Sequence, residues 1–153
     1  MTDDASTLAN ELTSARADFL AALETVDPTA PRVVGEWSAR ELVAHLGYWV
    51  GHAVEVIHAV ETGRAAEVGV DEPSVDERNE TVARVARQTD LATARKREAA
   101  SAQALLERLA GIDPAMLSQS LPDGATLAQG IREDGSQHYR EHTADLRSKV
   151  ESR

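Results

Sequence analysis

Apolar residues along the chain recur mainly at spacings of three and four, the period of a helix that buries one face. From about Asp4 to Val26 the residues Leu8, Leu12, Ala15, Phe19, Ala22, Leu23 and Val26 form one stripe, and Asp27-Pro28 stops it. After a loop containing Pro31 and Gly35, Ser38 stands where a helix N-cap belongs, and Glu41 three residues on completes a capping box. The second helix then runs to about Thr62. Its inward series is Leu42, His45, Leu46, Trp49, Ala53, Val56 and Val60, and Gly63 ends it. An acidic loop leads to Pro73 and Ser74, the cap of a third helical region running from Val75 towards Gly111, with a break expected near Thr89-Asp90. Leu91, Ala94, Ala102, Leu105, Leu106 and Leu109 continue the pattern there, and Gly111 with Asp113-Pro114 closes it. A connector from Leu117 to Gly124 precedes the last helix, about Thr126 to Val150, where Leu127, Ile131, Gly135, His138, His142 and Leu146 share a face. No alternating run predicts a strand. Four helical regions of this length predict an all-α chain, an antiparallel four-helix bundle forming a single domain over residues 1–153.

Composition narrows the chemistry. A chain of 153 residues can bury a core without staples. The absence of cysteine excludes disulfides, cysteine metal sites and a cysteine nucleophile, so any metal must be held by His, Asp or Glu. No apolar run is long enough to span a bilayer, and Met-Thr-Asp-Asp at the start is acidic where a signal peptide is basic, so a cytoplasmic protein with no membrane partner is expected. A net charge of −10 argues against a nucleic-acid partner, which needs a basic surface. Abundant alanine, with Lys96 and Lys149 the only lysines, suggests a GC-rich genome.

The candidate chemistry lies with the histidines. His138 and His142, four residues apart on one helical face, are spaced for one metal ion, and His45 on the inward face of the second helix is the best third ligand. The plainer alternative is a set of core histidines satisfied by hydrogen bonds. Burying the pair without either partner costs roughly 1–3 kcal/mol per unsatisfied group. His138 to His142 also spells H-x-x-E-H, a zinc-protease pattern, but that chemistry needs another ligand well downstream and the chain has no room for it. Glu141 is turned about 100° from the ligand face and reads as a solvated charge or, at best, a contact to the ligands. Glu55-x-x-His58 is half of a di-iron motif without its second copy, so both read as surface residues. His52 belongs either beside the bundle seam or in the pocket as an acid or base. Trp37, Tyr48, Trp49 and Tyr139 suit core packing, while the sharper alternative has Tyr48 and Tyr139 presenting hydroxyls beside the metal. Arg132 and Arg140 are either substrate-carboxylate holders or members of surface ion pairs.

Three segments together resemble one family. Gly35-Glu36-Trp37-Ser38-Ala39-Arg40-Glu41-Leu42-Val43-Ala44-His45-Leu46 resembles the opening of the second helix in DinB-like four-helix-bundle proteins. His138-Tyr139-Arg140-Glu141-His142 is similar to their closing H-x-x-x-H, and Val75-Asp76-Glu77-Arg78-Asn79-Glu80 resembles the third-helix start of the ClbS/DfsB branch. The resemblance implies one divalent metal (zinc, nickel or iron) on His45, His138 and His142. His138, where mycothiol-dependent maleylpyruvate isomerases commonly have Glu, counts against close kinship with that enzyme. The implied activity is that of a metal-dependent enzyme acting on small electrophiles. It is either a transferase using a low-molecular-weight thiol, mycothiol or bacillithiol, or a ClbS-like protective hydrolase. A GC-rich genome suits mycothiol. A non-catalytic stress protein that binds a metal or small molecule is the alternative, and a homodimer is expected.

Overall fold

The computed structural model describes residues 4–151, with every long element helical and no β-strand among them. Met1 to Asp3, most of the acidic start, lies outside the described residues. Helix α1 spans Ala5–Leu23 and begins where Asp4 accepts a hydrogen bond from the Thr7 backbone N–H at 2.7 Å. Helix α2 spans Ala39–Glu61, and the Glu41 carboxylate reaches back to the Ser38 N–H at 3.3 Å, as the capping box predicts.

The third region is two helices, α3 (Val75–Ala86) and α4 (Leu91–Gly111). The break lies where it was expected, because Asp90 caps α4 by accepting from the Thr93 N–H at 2.7 Å. The last region is also divided, into α5 (Leu127–Asp134) and α6 (Ser136–Glu151), where periodicity had predicted one helix. Gly135 is the cause. Its backbone (φ −107°, ψ −103°) leaves the helical region, and a β-carbon there would lie 2.9 Å from the Ile131 carbonyl oxygen. The connector holds a short 3-10 helix, Pro114–Ser118.

Helix α2 packs along α4 and α1 along α6, while α1 touches α4 and α2 touches α5, which closes the bundle. Helix α3 rests on the outside of α2. Leu12, Phe19, Leu46, Leu105, Leu127 and Tyr139 lie at the centre of one shared core. Gly47 lets α2 approach α4 closely, since a β-carbon there would come within 3.0 Å of the Glu98 Cα. Glu98 is itself buried (2% exposed) although charged. It accepts two hydrogen bonds from Arg16, at 2.7 and 2.8 Å, and a third from the Tyr139 hydroxyl. This network ties α1, α4 and α6 together beneath the candidate site.

Candidate metal centre

Helix α2 presents His45, and α6 presents His138 and His142 one turn apart. One ligating atom from each lies within 4.8 Å of the others. The Nε2 atoms of His45 and His138 are 2.7 Å apart, and the His142 ring centroid is 5.2 Å from that of His45 and 4.9 Å from that of His138. The core side of α6 is formed by Tyr139, Thr143 and Leu146, all buried. His138 and His142 stand at the edge of that face and are only half-buried, so they line a cleft of about 410 Å³ that opens to solvent. Trp37 forms part of its wall, with its ring 4.5 Å from His45.

Electrostatics keeps two of these imidazoles neutral. Burial, and then the proximity of His138 and His142, lowers the His45 pKa to about 3. His138 is lowered to about 4 by burial and by His142, against a weaker opposing pull from the Asp134 backbone. Neutral imidazole is the form that binds a metal. The His142 Nδ1 lies 3.0 Å from Asp145, which orients its ring and leaves Nε2 for the cluster. The His45 Nδ1 is buried with no hydrogen-bond partner among the described residues, so packing alone does not satisfy this ring. Three imidazole nitrogen donors from two rigid helices, with open space in front of them, fit a divalent ion such as zinc, nickel or iron.

The other candidates are dispersed. Tyr139 does not reach the cleft: its hydroxyl donates to Glu98 in the core, and burial, with the Glu98 charge, raises its pKa. Tyr48 lines a separate apolar groove between α2, α3 and α4. His52 is outside the cleft lining, its ring 5.1 Å from that of Trp49 and its Nδ1 2.7 Å from Asp134. Burial pushes the His52 pKa down, but the hydrogen bond and charge of Asp134 outweigh it and the net shift is upward. Asp134 in turn lines the histidine cleft, so His52 touches the site through it. Arg132 is buried against Glu11 at 2.9 Å and Arg140 is exposed outside the cleft lining, so neither is placed to hold a substrate carboxylate there. Glu55 and His58 are exposed, as expected.

The cleft lining also includes residues to which the histidine spacing does not point. Glu141 is exposed but does line the cleft, as do Glu133, Asp134 and Asn79. The Trp49 indole N–H donates to the Asn79 side-chain oxygen at 2.8 Å, which brings the start of α3 to the site. The available signals were the three- and four-residue offsets of Asp145 and Asp134 from the terminal histidines, and the Val75 to Glu80 motif itself.

A family profile described as the DinB superfamily matches residues 4–144. The chain belongs to the DinB superfamily. Its fold is shared with an uncharacterised protein from Escherichia coli UTI89, at a TM-score of 0.83 and 13% identity, covering 99% of this chain and 95% of that one. Comparison with curated proteins returns no match. The DinB superfamily includes metal-binding members, and the three-histidine cluster gives this chain residues able to bind one.

Proposed function

We propose that this DinB-superfamily protein is a divalent-metal-dependent enzyme that sets a small nucleophile, a low-molecular-weight thiol or water, against a small electrophile. The observation that carries this reading is the convergence of three imidazoles, two of them held neutral, at the floor of an open cleft. A structural metal site is closed by four protein ligands, whereas three ligands beside open space are the arrangement of catalytic sites. A divalent ion held there supplies Lewis acidity, lowering the pKa of a thiol or water that binds it.

The chain's own residues do the rest. Asp145 fixes the His142 ring, and the Tyr139, Glu98 and Arg16 network fixes α6. The paired His52 and Asp134 supply a proton acceptor at the cleft edge. As the nucleophile's sulfur or oxygen bonds to the electrophilic carbon, its proton passes to this pair. The bond to the leaving atom breaks with its electron pair; an atom released by ring opening then takes the proton from the pair, whereas a halide departs as the anion and the proton passes to solvent. Trp37 and Trp49 give the cleft apolar walls that hold a small organic molecule.

The test measures consumption of an electrophile such as an aryl halide or a strained ring by metal-loaded protein, with and without mycothiol and in ¹⁸O-water. Thiol-dependent turnover assigns the transferase, ¹⁸O incorporation without thiol assigns the hydrolase, and Asp134→Asn should slow either without loss of metal. Metal-loaded protein that binds such molecules but turns none over contradicts the enzyme reading and leaves a binding module in its place.

A further inference from the structure

The cleft in front of the histidines is polarised. Glu133, Asp134 and Glu141 line it, and among the described residues no lysine or arginine does. Arg78 lies behind the wall, 4.8 Å over the Trp49 ring, where it bonds Glu72 at 3.1 Å and its buried Nε has no partner among the described residues. Asp134 has His52 as a partner at 2.7 Å. The Glu133 and Glu141 side chains make no ion pair among the described residues, and both are exposed. An acidic rim alone is common on a chain of net charge −10. Here it borders a floor that independently asks for a ligand, because one nitrogen from each of three imidazoles converges there within 4.8 Å and, among the described residues, the buried Nδ1 atoms of His45 and His138 have no hydrogen-bond partner.

Resting on the metal reading above, the two ends of the cleft carry opposite demands. A divalent ion on neutral imidazoles makes the floor electropositive and receptive to a donor atom. The mouth is electronegative, and Trp37 offers an aromatic surface between the two, its ring 6.5 Å from His142. A carboxylate or sulfonate at the mouth meets two glutamates that make no ion pair and, among the described residues, no lining lysine or arginine. An ammonium group there meets two carboxylates and an indole, the surroundings that favour an organic cation. We propose that the cleft takes a small molecule with a metal-donor group at one end and an ammonium-type cation at the other, and that Glu133 and Glu141 set this selectivity.

The experiment uses the zinc-loaded full chain and three thiols of similar size: thiocholine (cationic), 2-mercaptoethanol (neutral) and 2-mercaptoethanesulfonate (anionic). Trp37 and Trp49 are the chain's two tryptophans and both line the cleft, so their fluorescence reports binding. Wild type is compared with Glu133→Gln/Glu141→Gln. Each thiol is compared with itself, so differences in thiol acidity cancel. Two exposed charges are worth together roughly a tenfold change in affinity. In the double variant thiocholine should therefore weaken about tenfold and the sulfonate tighten several-fold, with 2-mercaptoethanol unchanged, and these shifts should shrink in high salt. A common shift of all three thiols, or none, overturns the proposal. Zinc analysis on the same samples separates the two levels: a wild type without zinc defeats the metal site itself, whereas one equivalent of zinc with charge-blind binding defeats only the selectivity.

Discussion

Lowering the pH from 7 to 5 should destabilise the metal-free protein through His45 and His138. Both have an ordinary pKa of 6.5 when unfolded, and burial followed by repulsion from neighbouring imidazoles holds them at about 3 and about 4 when folded. Between these limits the unfolded chain binds more protons, so stability is full above pH 6.5 and is lost as pH falls towards 4. At pH 5 an unfolded imidazole favours its protonated form about thirtyfold, which is worth about 2 kcal/mol per residue. The two sites repel each other and are not additive, so the pair accounts for roughly 2–4 kcal/mol. His52 works in the opposite sense, because its raised pKa gives stability that is full below 6.5 and lost as pH rises through the folded value. The assay is urea unfolding in chelator, followed by circular dichroism, for wild type and His45→Gln/His138→Gln. With a slope of about 2 kcal/mol per molar urea, the wild-type midpoint should fall by about 1–2 M more than that of the variant. His52 and the carboxylates are common to both proteins, so the difference isolates the two histidines. Equal falls in the two proteins would show that His45 and His138 do not carry the acid sensitivity.

Three further outcomes follow from particular contacts. Tyr139→Phe removes the hydroxyl that donates to buried Glu98 and should cost about 1–3 kcal/mol in thermal unfolding, with metal stoichiometry unchanged because the hydroxyl faces away from the cleft. Asp145→Asn should weaken metal binding by roughly tenfold in a chelator competition; the effect is modest because the carboxylate is 51% exposed, and an unchanged affinity would show that His142 is oriented by something else. Gly135→Ala places a methyl 2.9 Å from the Ile131 carbonyl oxygen and should cost about 1–3 kcal/mol in stability while loosening the metal site three residues away; a fully stable variant would show that the break between α5 and α6 yields easily.

Helix α1 was legible from its apolar stripe, and α2 because a stripe and a capping signal agreed at its start. The break at Gly135 was not, because a glycine on the apolar face of a periodic segment also looks like a tolerated small residue, and only the approach of the Ile131 carbonyl distinguishes the two. The ligand candidates His45, His138 and His142 were readable from spacing, since all three lie on inward-facing series. Their position at the edge of the buried face was not. Periodicity assigns α6 one apolar side, but α6 buries Tyr139, Thr143 and Leu146 towards the core and turns the histidines to a cleft beside it. Glu98 continues the α4 stripe seven residues after Leu91, yet its charge reads as surface until Arg16 and Tyr139 are seen to converge on it from distant segments. The rim of Glu133, Asp134 and Glu141 was hidden for a similar reason: helix periodicity sends these side chains to solvent and carries no information about which solvent-facing groups surround a cleft.

If His45, His138 and His142 hold one metal ion, elemental analysis of the purified protein after supplementation with zinc, nickel or iron will show it. The expected result is about one equivalent of metal in wild type, lost in His45→Ala while the helical content is kept. Less than about 0.2 equivalents in wild type, or full stoichiometry in the variant, would contradict it.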